Sequence, residues 1–159
     1  MKKIFLFLVI YAISLIAQSN YQLYKESLKR KNLKEAKIYL LKAINESFEN
    51  DDLKTIAKRY EEMANLYKKT KSYYKAIEYY KLSLKLSLST ESSDIPALIL
   101  LYKKLSFCYS KIGNTFKTFK YSYKAAKLAN KRYGKNSKVT KELTKELAKI
   151  QSKLIENSI

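Results

Sequence analysis

The stretch that decides the fold is residues 57–90, AKRYEEMANLYKKTKSYYKAIEYYKLSLKLSLST. Its apolar and aromatic residues recur at intervals of three and four, as they do on one face of a helix, and not at the interval of two that is typical of a strand. The polar segment KTKS at 69–72 interrupts the pattern once, and the stretch contains neither glycine nor proline. This pattern predicts two consecutive helices joined by a tight turn.

The rest of the chain follows the same helical pattern, and short polar segments separate the apolar runs. The expected helices cover residues 20–30, 33–48, 52–70, 73–89, 95–112, 115–132 and 137–156. Polar side chains at several helix starts are expected to accept hydrogen bonds from first-turn amide groups, and Pro96 suits a first turn. These predicted caps are Asp51 or Asp52, Ser72, Asp94 and Ser137.

The predicted helices repeat in pairs. A shift of 42 residues aligns Tyr60 with Tyr102, and a shift of 40 in the other direction aligns Ala76 with Ala36. Small residues recur at fixed places in each pair, where they would let the two helices approach closely. Self-similarity with a period of this length indicates a repeat architecture, and here a helix pair occurs three times.

These residues resemble the tetratricopeptide repeat, whose pattern has a large residue at position 4, Leu-Gly/Ala at 7–8, Tyr at 11, Ala at 20, an aromatic residue at 24 and Ala/Ser at 27. Residues 57–90 supply Tyr60, Met63, Ala64, Tyr67, Ala76, Tyr80 and Ser83 at these positions. The third pair supplies Tyr102, Leu105, Ser106, Tyr109, Gly113, Thr118 and Ala125, with Ser122 in place of the aromatic residue. The first pair supplies Leu23, Tyr24, Ala36, Leu40 and Ala43, with Ser27 in place of the tyrosine.

The resemblance covers about residues 20–132 and implies an all-α fold: a right-handed α-solenoid of about three helix pairs with a period of 40–42 residues. The expected repeats are residues 20–52, 53–94 and 95–136. The turn glycine of the family occurs only at Gly113, and Lys31 and Lys71 stand in its place in the other two turns. The resemblance also assigns Tyr80 to the core and indicates that Tyr73 is buried. Tyr79 is expected to pack between successive repeats and Tyr74 to face solvent.

Residues 137–159 do not match the repeat. Apolar residues form a single stripe on this predicted helix: Val139, Leu143, Leu147, Ile150 and Leu154. The last repeat of a solenoid leaves an apolar face open, and a helix with a polar back closes it. We therefore expect a capping helix, with a helix that dimerises or lies on a membrane as the alternative.

The first 19 residues have the pattern of a secretory signal peptide. Two lysines precede an apolar run from Ile4 to Ala17, and Ala17-Gln18-Ser19 has the small residues of a cleavage site. We expect cleavage after Ser19 and a periplasmic or extracellular location. The alternative is an uncleaved anchor, although fourteen residues rise only about 21 Å as a helix against roughly 30 Å of hydrocarbon.

The composition argues against catalysis. The chain has no histidine and two glycines, which excludes a histidine relay, histidine metal sites and a glycine-rich phosphate loop. Cys108 lies among apolar residues without a partner base, so we expect a buried structural thiol, with an intermolecular disulfide as the alternative. The sequence therefore predicts a non-enzyme without a catalytic residue, metal or cofactor.

The formal net charge of +19 favours anionic partners such as acidic peptides, phospholipid headgroups or wall polymers. Compositional drift towards lysine, as AT-rich coding produces, is the alternative cause. The expected export of the chain makes nucleic acid an unexpected partner.

The family resemblance implies that the first helix of each pair lines a concave groove. Leu28, Leu100 and Phe107 would form its apolar floor. Some family members hold a C-terminal carboxylate at fixed groove positions, but only Asn65 and Lys103 match that set here. We therefore expect a looser contact of an acidic or C-terminal peptide with Lys25, Asn65 and Lys103, or lysines that only solvate the groove. The candidate partner-binding residues are Lys25, Lys29, Lys58, Asn65, Lys68, Lys69, Lys103, Phe107 and Lys111.

The predicted function is that of an exported, non-catalytic adaptor that binds a peptide or partner protein in a basic groove. The alternative is an envelope-associated structural protein that its net positive charge holds to an anionic membrane or wall polymer. The oligomeric state does not follow from the sequence.

Overall fold

The computed structural model describes residues 19–90 and 94–156, so the predicted signal peptide, except for Ser19, lies outside the described residues. The described chain forms helices α1 (Asn20–Lys29), α2 (Leu33–Asn50), α3 (Leu53–Lys69), α4 (Tyr73–Ser89), α5 (Ile95–Lys111), α6 (Thr115–Tyr133) and α7 (Lys138–Glu156). These bounds agree with the predicted helices to within two residues, and the described ranges contain no strand. The prediction of an all-α fold is confirmed.

Most of the predicted helix caps are present. The side chains of Asp52, Asp94 and Ser137 accept hydrogen bonds from the amides of Thr55 (2.7 Å), Ala97 (3.1 Å) and Thr140 (3.2 Å). The prediction for Ser72 is wrong, because its side chain makes no capping bond. Ser72 has ψ 66° and not the extended backbone of a typical N-cap, and only its carbonyl accepts from the amide of Ala76 at 3.0 Å.

Three turns between paired helices share one backbone geometry. Lys31, Lys71 and Gly113 have φ values of 58°, 57° and 74°, in the left-handed region. One residue later, the amides of Asn32, Ser72 and Asn114 donate to the carbonyls of Ser27 (2.9 Å), Tyr67 (2.9 Å) and Tyr109 (3.0 Å). This is the Schellman closure of a helix end, which satisfies carbonyls that the helix itself leaves unpaired. The two lysines therefore take the backbone role of the turn glycine.

The described residues divide into two compact units, of which the first ends at Asn50 and the second begins at Asp51. The first unit contains α1 and α2, which pack on each other. Ser27 is fully buried at the position where the other two pairs have a tyrosine. The rest of this core consists of Tyr24, Ala36, Leu40, Ala43, Ile44 and Ser47.

The second unit contains α3–α7, and each of these helices packs on the next. Its core includes the fully buried residues Met63, Leu66, Tyr80, Leu101, Leu105 and Cys108. The predicted core position of Tyr80 and the predicted burial of Cys108 are both confirmed. Burial raises the pKa of the Cys108 thiol to about 11, which keeps it protonated and unreactive near neutral pH.

Two tyrosine triads recur 42 residues apart in the second unit. The ring of Tyr79 lies between those of Tyr60 and Tyr67, with centroids 6.0 and 5.4 Å away. Tyr121 lies in the same way between Tyr102 and Tyr109, at 6.2 and 5.4 Å. The ring of Tyr79 therefore stacks on the first helix of its own pair. The expectation that it also packs between successive repeats stays a prediction.

The other tyrosines of α4 differ in exposure. Tyr74 is 70% exposed, as predicted. Tyr73 was predicted to be buried, but it is half-buried and its ring meets that of Phe107 edge-on at 6.3 Å. This difference places Tyr73 at the edge of the core, next to a predicted groove residue.

Helix α7 packs on α6 with part of its predicted stripe. Leu143 is buried and Leu147 and Ile150 are half-buried, but Val139 is 43% exposed. Thr140, one position further along the helix, is buried in the first turn instead. No helix in the described part of the chain combines the length and apolar character of a membrane span.

Candidate partner-binding groove

The candidate residues of the first unit lie on α1. Lys25 and Lys29 are both exposed, and the Lys25 ammonium group is 5.2 Å from the centroid of the Tyr21 ring. The idea that one peptide contacts Lys25 together with Asn65 and Lys103 stays a prediction, since the latter two belong to the second unit.

The structure brings several candidates of the second unit together around Phe107, whose side chain is 44% exposed. The ammonium groups of Lys68 on α3 and Lys111 on α5 lie 5.9 and 5.3 Å from the centroid of its ring. A cation at this distance is attracted by the negative face of an aromatic ring. These residues form a surface that pairs an accessible apolar ring with two positive charges, and we call it the Phe107 surface.

A cavity of about 400 Å³ lies beside the Phe107 surface, between α5, α6 and α7. Lys103, another candidate, stands at its rim with Glu146 and Lys149 from α7. The remaining lining residues are small or apolar: Ser106, Phe107, Ser110, Thr118, Ser122, Ala125, Leu143 and Ile150. The cavity could therefore accept an apolar side chain, with charged groups at the rim for a polar neighbour.

The cavity occurs where the third pair departs from the repeat pattern. In the second pair, the Tyr80 hydroxyl reaches back to α3 and donates to Asn65 Oδ1 at 2.7 Å. The residues 42 positions later are Ser122 and Phe107, and both line the cavity. The Ser122 hydroxyl lies 2.7 Å from that of Ser106 instead. A serine fills far less volume than a tyrosine, so the substitution leaves space next to Phe107.

Asn65 also has a role within the repeat that sequence reasoning missed. It is half-buried, and the Tyr80 hydroxyl occupies one site on its side-chain oxygen. The only sequence signal for this bond is the fifteen-residue spacing within one pair, which does not identify a contact without the fold. Asn65 is therefore a poor choice for testing ligand contact alone, since its replacement would also disturb the buried tyrosine.

Lys58 and Lys69 lie apart from the group around Phe107. Lys58 lines a separate cleft of about 570 Å³ that α3, α4 and α5 form, together with Glu61, Asp94 and others. Lys69 is exposed at the end of α3. The structure therefore groups Lys68, Lys103, Phe107 and Lys111 by their contacts or by the shared cavity, and gives no such link for Lys58 and Lys69.

Glu61, which lines the cleft of α3, α4 and α5, has its charge paired. Its carboxylate forms an ion pair with Lys104 of α5, and both side chains are mostly buried. The Lys104 ammonium group also lies 5.9 Å from the centroid of the Tyr80 ring. Sequence reasoning chose Lys103 for the groove and overlooked Lys104, because position alone does not show which of two neighbouring lysines turns towards α3.

The residues that the structure describes contain no cluster of three or more histidine, cysteine, aspartate or glutamate side chains suited to a metal ion. The side chains at the groove offer burial of apolar groups, cation–π contact and attraction between opposite charges.

No protein-family model matches the chain, and no curated protein matches its sequence. Solved structures do match it. BtubC from P. vanneervenii has a TM-score of 0.68 and 20% identity over 84% of this chain and 54% of that one. A putative kinesin light chain from Podosopora anserina, described by its nearly identical TPR-like repeats, has a TM-score of 0.69 and 14% identity over 84% of this chain and 64% of that one.

The N-terminal domain of stress-induced protein-1 from C. elegans has a TM-score of 0.66 and 14% identity, covering 83% of this chain and 91% of the matched one. The chain spans about half to two thirds of the length of the first two structures. At these identities the likeness shows the fold alone. That fold is the one that the repeat pattern implies.

Proposed function

We propose that this chain, whose helices have the tetratricopeptide-repeat fold, is a non-catalytic scaffold that binds a partner protein on the first helices of its repeats. The observation that carries the proposal is the cavity that Ser122 leaves beside the Phe107 surface. The signal-peptide pattern of residues 1–19 supports a site of action in the cell envelope or outside the cell.

The cavity and its rim favour a particular kind of partner segment. An apolar side chain would enter the cavity and contact Phe107 and Leu143, since burial of apolar area is the main source of binding energy at such an anchor. A carboxylate next to it would approach Lys103 or the lysines around the Phe107 ring. We therefore infer an acidic segment with an apolar anchor residue.

The rim also constrains how the carboxylate approaches. Glu146 and Lys149 lie together on the α7 side of the cavity, so their opposite charges offset each other there. Lys103 is on α5, and the pairing of Glu61 with Lys104 removes a competing negative charge from the neighbouring helix. The acidic group of the partner is therefore expected on the α5 side.

A screen of immobilised peptides tests this function. The full chain is applied to a peptide library at low and at moderate salt, and the bound sequences are compared with the library composition. We expect enrichment of an apolar residue next to aspartate or glutamate, or next to a free C-terminus, with weaker binding at moderate salt because exposed charges are screened.

Three variants locate the binding. Ser122→Phe is expected to fill the cavity and Lys103→Gln to remove the charge at its rim, and each should weaken capture of the selected peptides. Lys85→Gln is the matched control, because Lys85 is exposed on α4 and does not line the cavity. If capture survives both groove variants but falls when outer lysines are replaced, the groove is the wrong site and net charge alone is responsible.

A further inference from the structure

Another cleft, of about 630 Å³, lies between α6 and α7. It shares no lining residue with the cavity beside the Phe107 surface. Four lysines line it: Lys127 of α6, Lys135 of the connecting segment, and Lys141 and Lys145 of α7. All four are exposed, and no aspartate or glutamate is among the lining residues. We call this the lysine cleft.

The geometry of α7 explains why the cleft lacks carboxylates. Successive helix residues are about 100° apart, so Lys141 and Lys145 lie within about 40° of each other on the helix surface. Glu142 and Glu146 lie about 100° further round, and Glu146 lines the groove cavity instead. Helix α7 therefore separates two surfaces, and Glu142 and Glu146, the acidic residues level with the lysine cleft along the helix, point away from it.

The sequence around the cleft adds to this charge. Between Asp94 and Glu142 the chain carries twelve lysine or arginine residues and no aspartate or glutamate. This segment therefore has positive charges without any negative charge, whereas the first half of the chain contains both acidic and basic residues. An anion near the lysine cleft would therefore meet attraction from the site and from the surrounding helices alike.

Exposed aromatic side chains continue the same face of α6. Phe116 is 62% exposed and Tyr123, which lines the cleft, is 48% exposed. Seven residues separate them, so both point the same way, and Lys127 follows one turn later. Phe119 stacks on Tyr123 with ring centroids 6.3 Å apart. Lysines with aromatic side chains beside them are typical of surfaces that lie at a membrane interface.

We propose that the lysine cleft binds the phosphate of an anionic phospholipid headgroup while Phe116 and Tyr123 enter the bilayer interface. The charge of the cleft is complementary to such a headgroup. The exposed aromatic side chains favour a bilayer over a soluble polyanion, which would leave them in water. The site is independent of the groove, so a scaffold held at a membrane in this way could still bind its partner.

Chemical footprinting of the full chain tests the proposal without relying on total vesicle binding, to which the apolar N-terminal segment could contribute. The protein is acylated with an amine-reactive reagent in the presence of vesicles of phosphatidylcholine, with or without phosphatidylglycerol, and each lysine is followed by mass spectrometry. We expect phosphatidylglycerol to slow the modification of the four cleft lysines relative to Lys34 and Lys85, which are exposed elsewhere. Equal rates for both groups would overturn the proposal.

Two variants of equal net charge distinguish the site from charge alone. One replaces Lys127, Lys135, Lys141 and Lys145 by glutamine, and the other replaces Lys34, Lys81, Lys85 and Lys153, which are also exposed. The first should weaken the phosphatidylglycerol-dependent part of binding by about tenfold or more, since each lysine near an anionic surface contributes. Equal weakening in both variants contradicts a defined site.

Two further measurements address the source of the phosphate. Phe116→Ser should reduce binding to phosphatidylglycerol vesicles, because it removes an apolar contact with the interface. Tripolyphosphate is the soluble probe. If it protects the cleft lysines while vesicles do not, the cleft takes a soluble polyanion and the membrane proposal is wrong.

Discussion

Lys71 and Gly113 adopt the same left-handed backbone conformation 42 residues apart, with φ values of 57° and 74°. In both turns the next residue donates its amide to the tyrosine carbonyl five residues earlier in the chain, at 2.9 and 3.0 Å. Glycine adopts this conformation freely, whereas a residue with a Cβ atom is strained in it. The repeat architecture therefore imposes the turn on Lys71 against the preference of its own backbone.

Replacing Lys71 by glycine is expected to stabilise the protein. The change relieves the left-handed strain but gives the unfolded chain more freedom, so the net gain is about 0.5–1 kcal/mol in the free energy of unfolding. Chemical denaturation measures it, with Lys58→Gly in the interior of α3 as the control that should destabilise. A Lys71→Gly variant less stable than the parent would show that the lysine side chain itself holds the turn.

The converse change, Gly113→Ala, should destabilise by about 1–2 kcal/mol. A Cβ atom built at Gly113 meets nothing within 4 Å, so the loss would come from the backbone and not from a steric clash. A thermal melt with an unchanged midpoint would contradict this account of the turn.

Tyr80→Phe is expected to cost about 1–2 kcal/mol of stability, although it removes a single oxygen atom. The Tyr80 side chain is fully buried, and its hydroxyl donates to Asn65 at 2.7 Å. The variant leaves the asparagine oxygen without this donor. Tyr74→Phe is the matched control, since that side chain is 70% exposed and its change should be neutral. Equal effects of the two changes would show that the buried bond contributes nothing.

Cys108 predicts a loss of stability at alkaline pH. Burial raises the pKa of its thiol from 9.0 to about 11, so the unfolded chain loses this proton at lower pH than the folded one. The stabilising contribution of the protonated thiol is complete below pH 9 and disappears as the pH rises through about 11. The free energy of unfolding should fall by about 3 kcal/mol over this range.

Buried tyrosines such as Tyr80 titrate in the same direction, because burial raises the pKa of Tyr80 as well. The comparison is therefore between the parent and Cys108→Ala, each denatured with urea at a series of pH values. The alanine variant should lose less stability between pH 9 and 11. If the free energy of unfolding falls equally with pH in both proteins, the Cys108 thiol does not contribute to the loss of stability.

The sequence was sufficient to predict helix bounds and the core position of Tyr80, because these follow from local periodicity and from the repeat. It was not sufficient for the direction of the Tyr79 ring or the exposure of Val139. Both depend on how the helix is rotated about its own axis, and a rotation by one residue position changes which side chain faces the core. Ser72 does not cap its helix, although Asn32 and Asn114 do so after the same left-handed turn, and its hydroxyl lies 3.5 Å from that of Thr70 instead. The cavity beside Phe107 followed from Ser122, which the sequence marked as a departure from the repeat but could not show as empty space.

The ion pair between Glu61 and Lys104 links the second helix pair to the third and gives a final prediction. Both side chains are mostly buried, so Lys104→Met should leave an uncompensated carboxylate and cost about 1–3 kcal/mol. Adding Glu61→Gln should recover part of that loss, because the remaining partner no longer carries a charge. A double-mutant cycle by chemical denaturation should give a coupling energy of about 0.5–2 kcal/mol, and strictly additive changes would show that the pair does not stabilise the junction of α3 and α5.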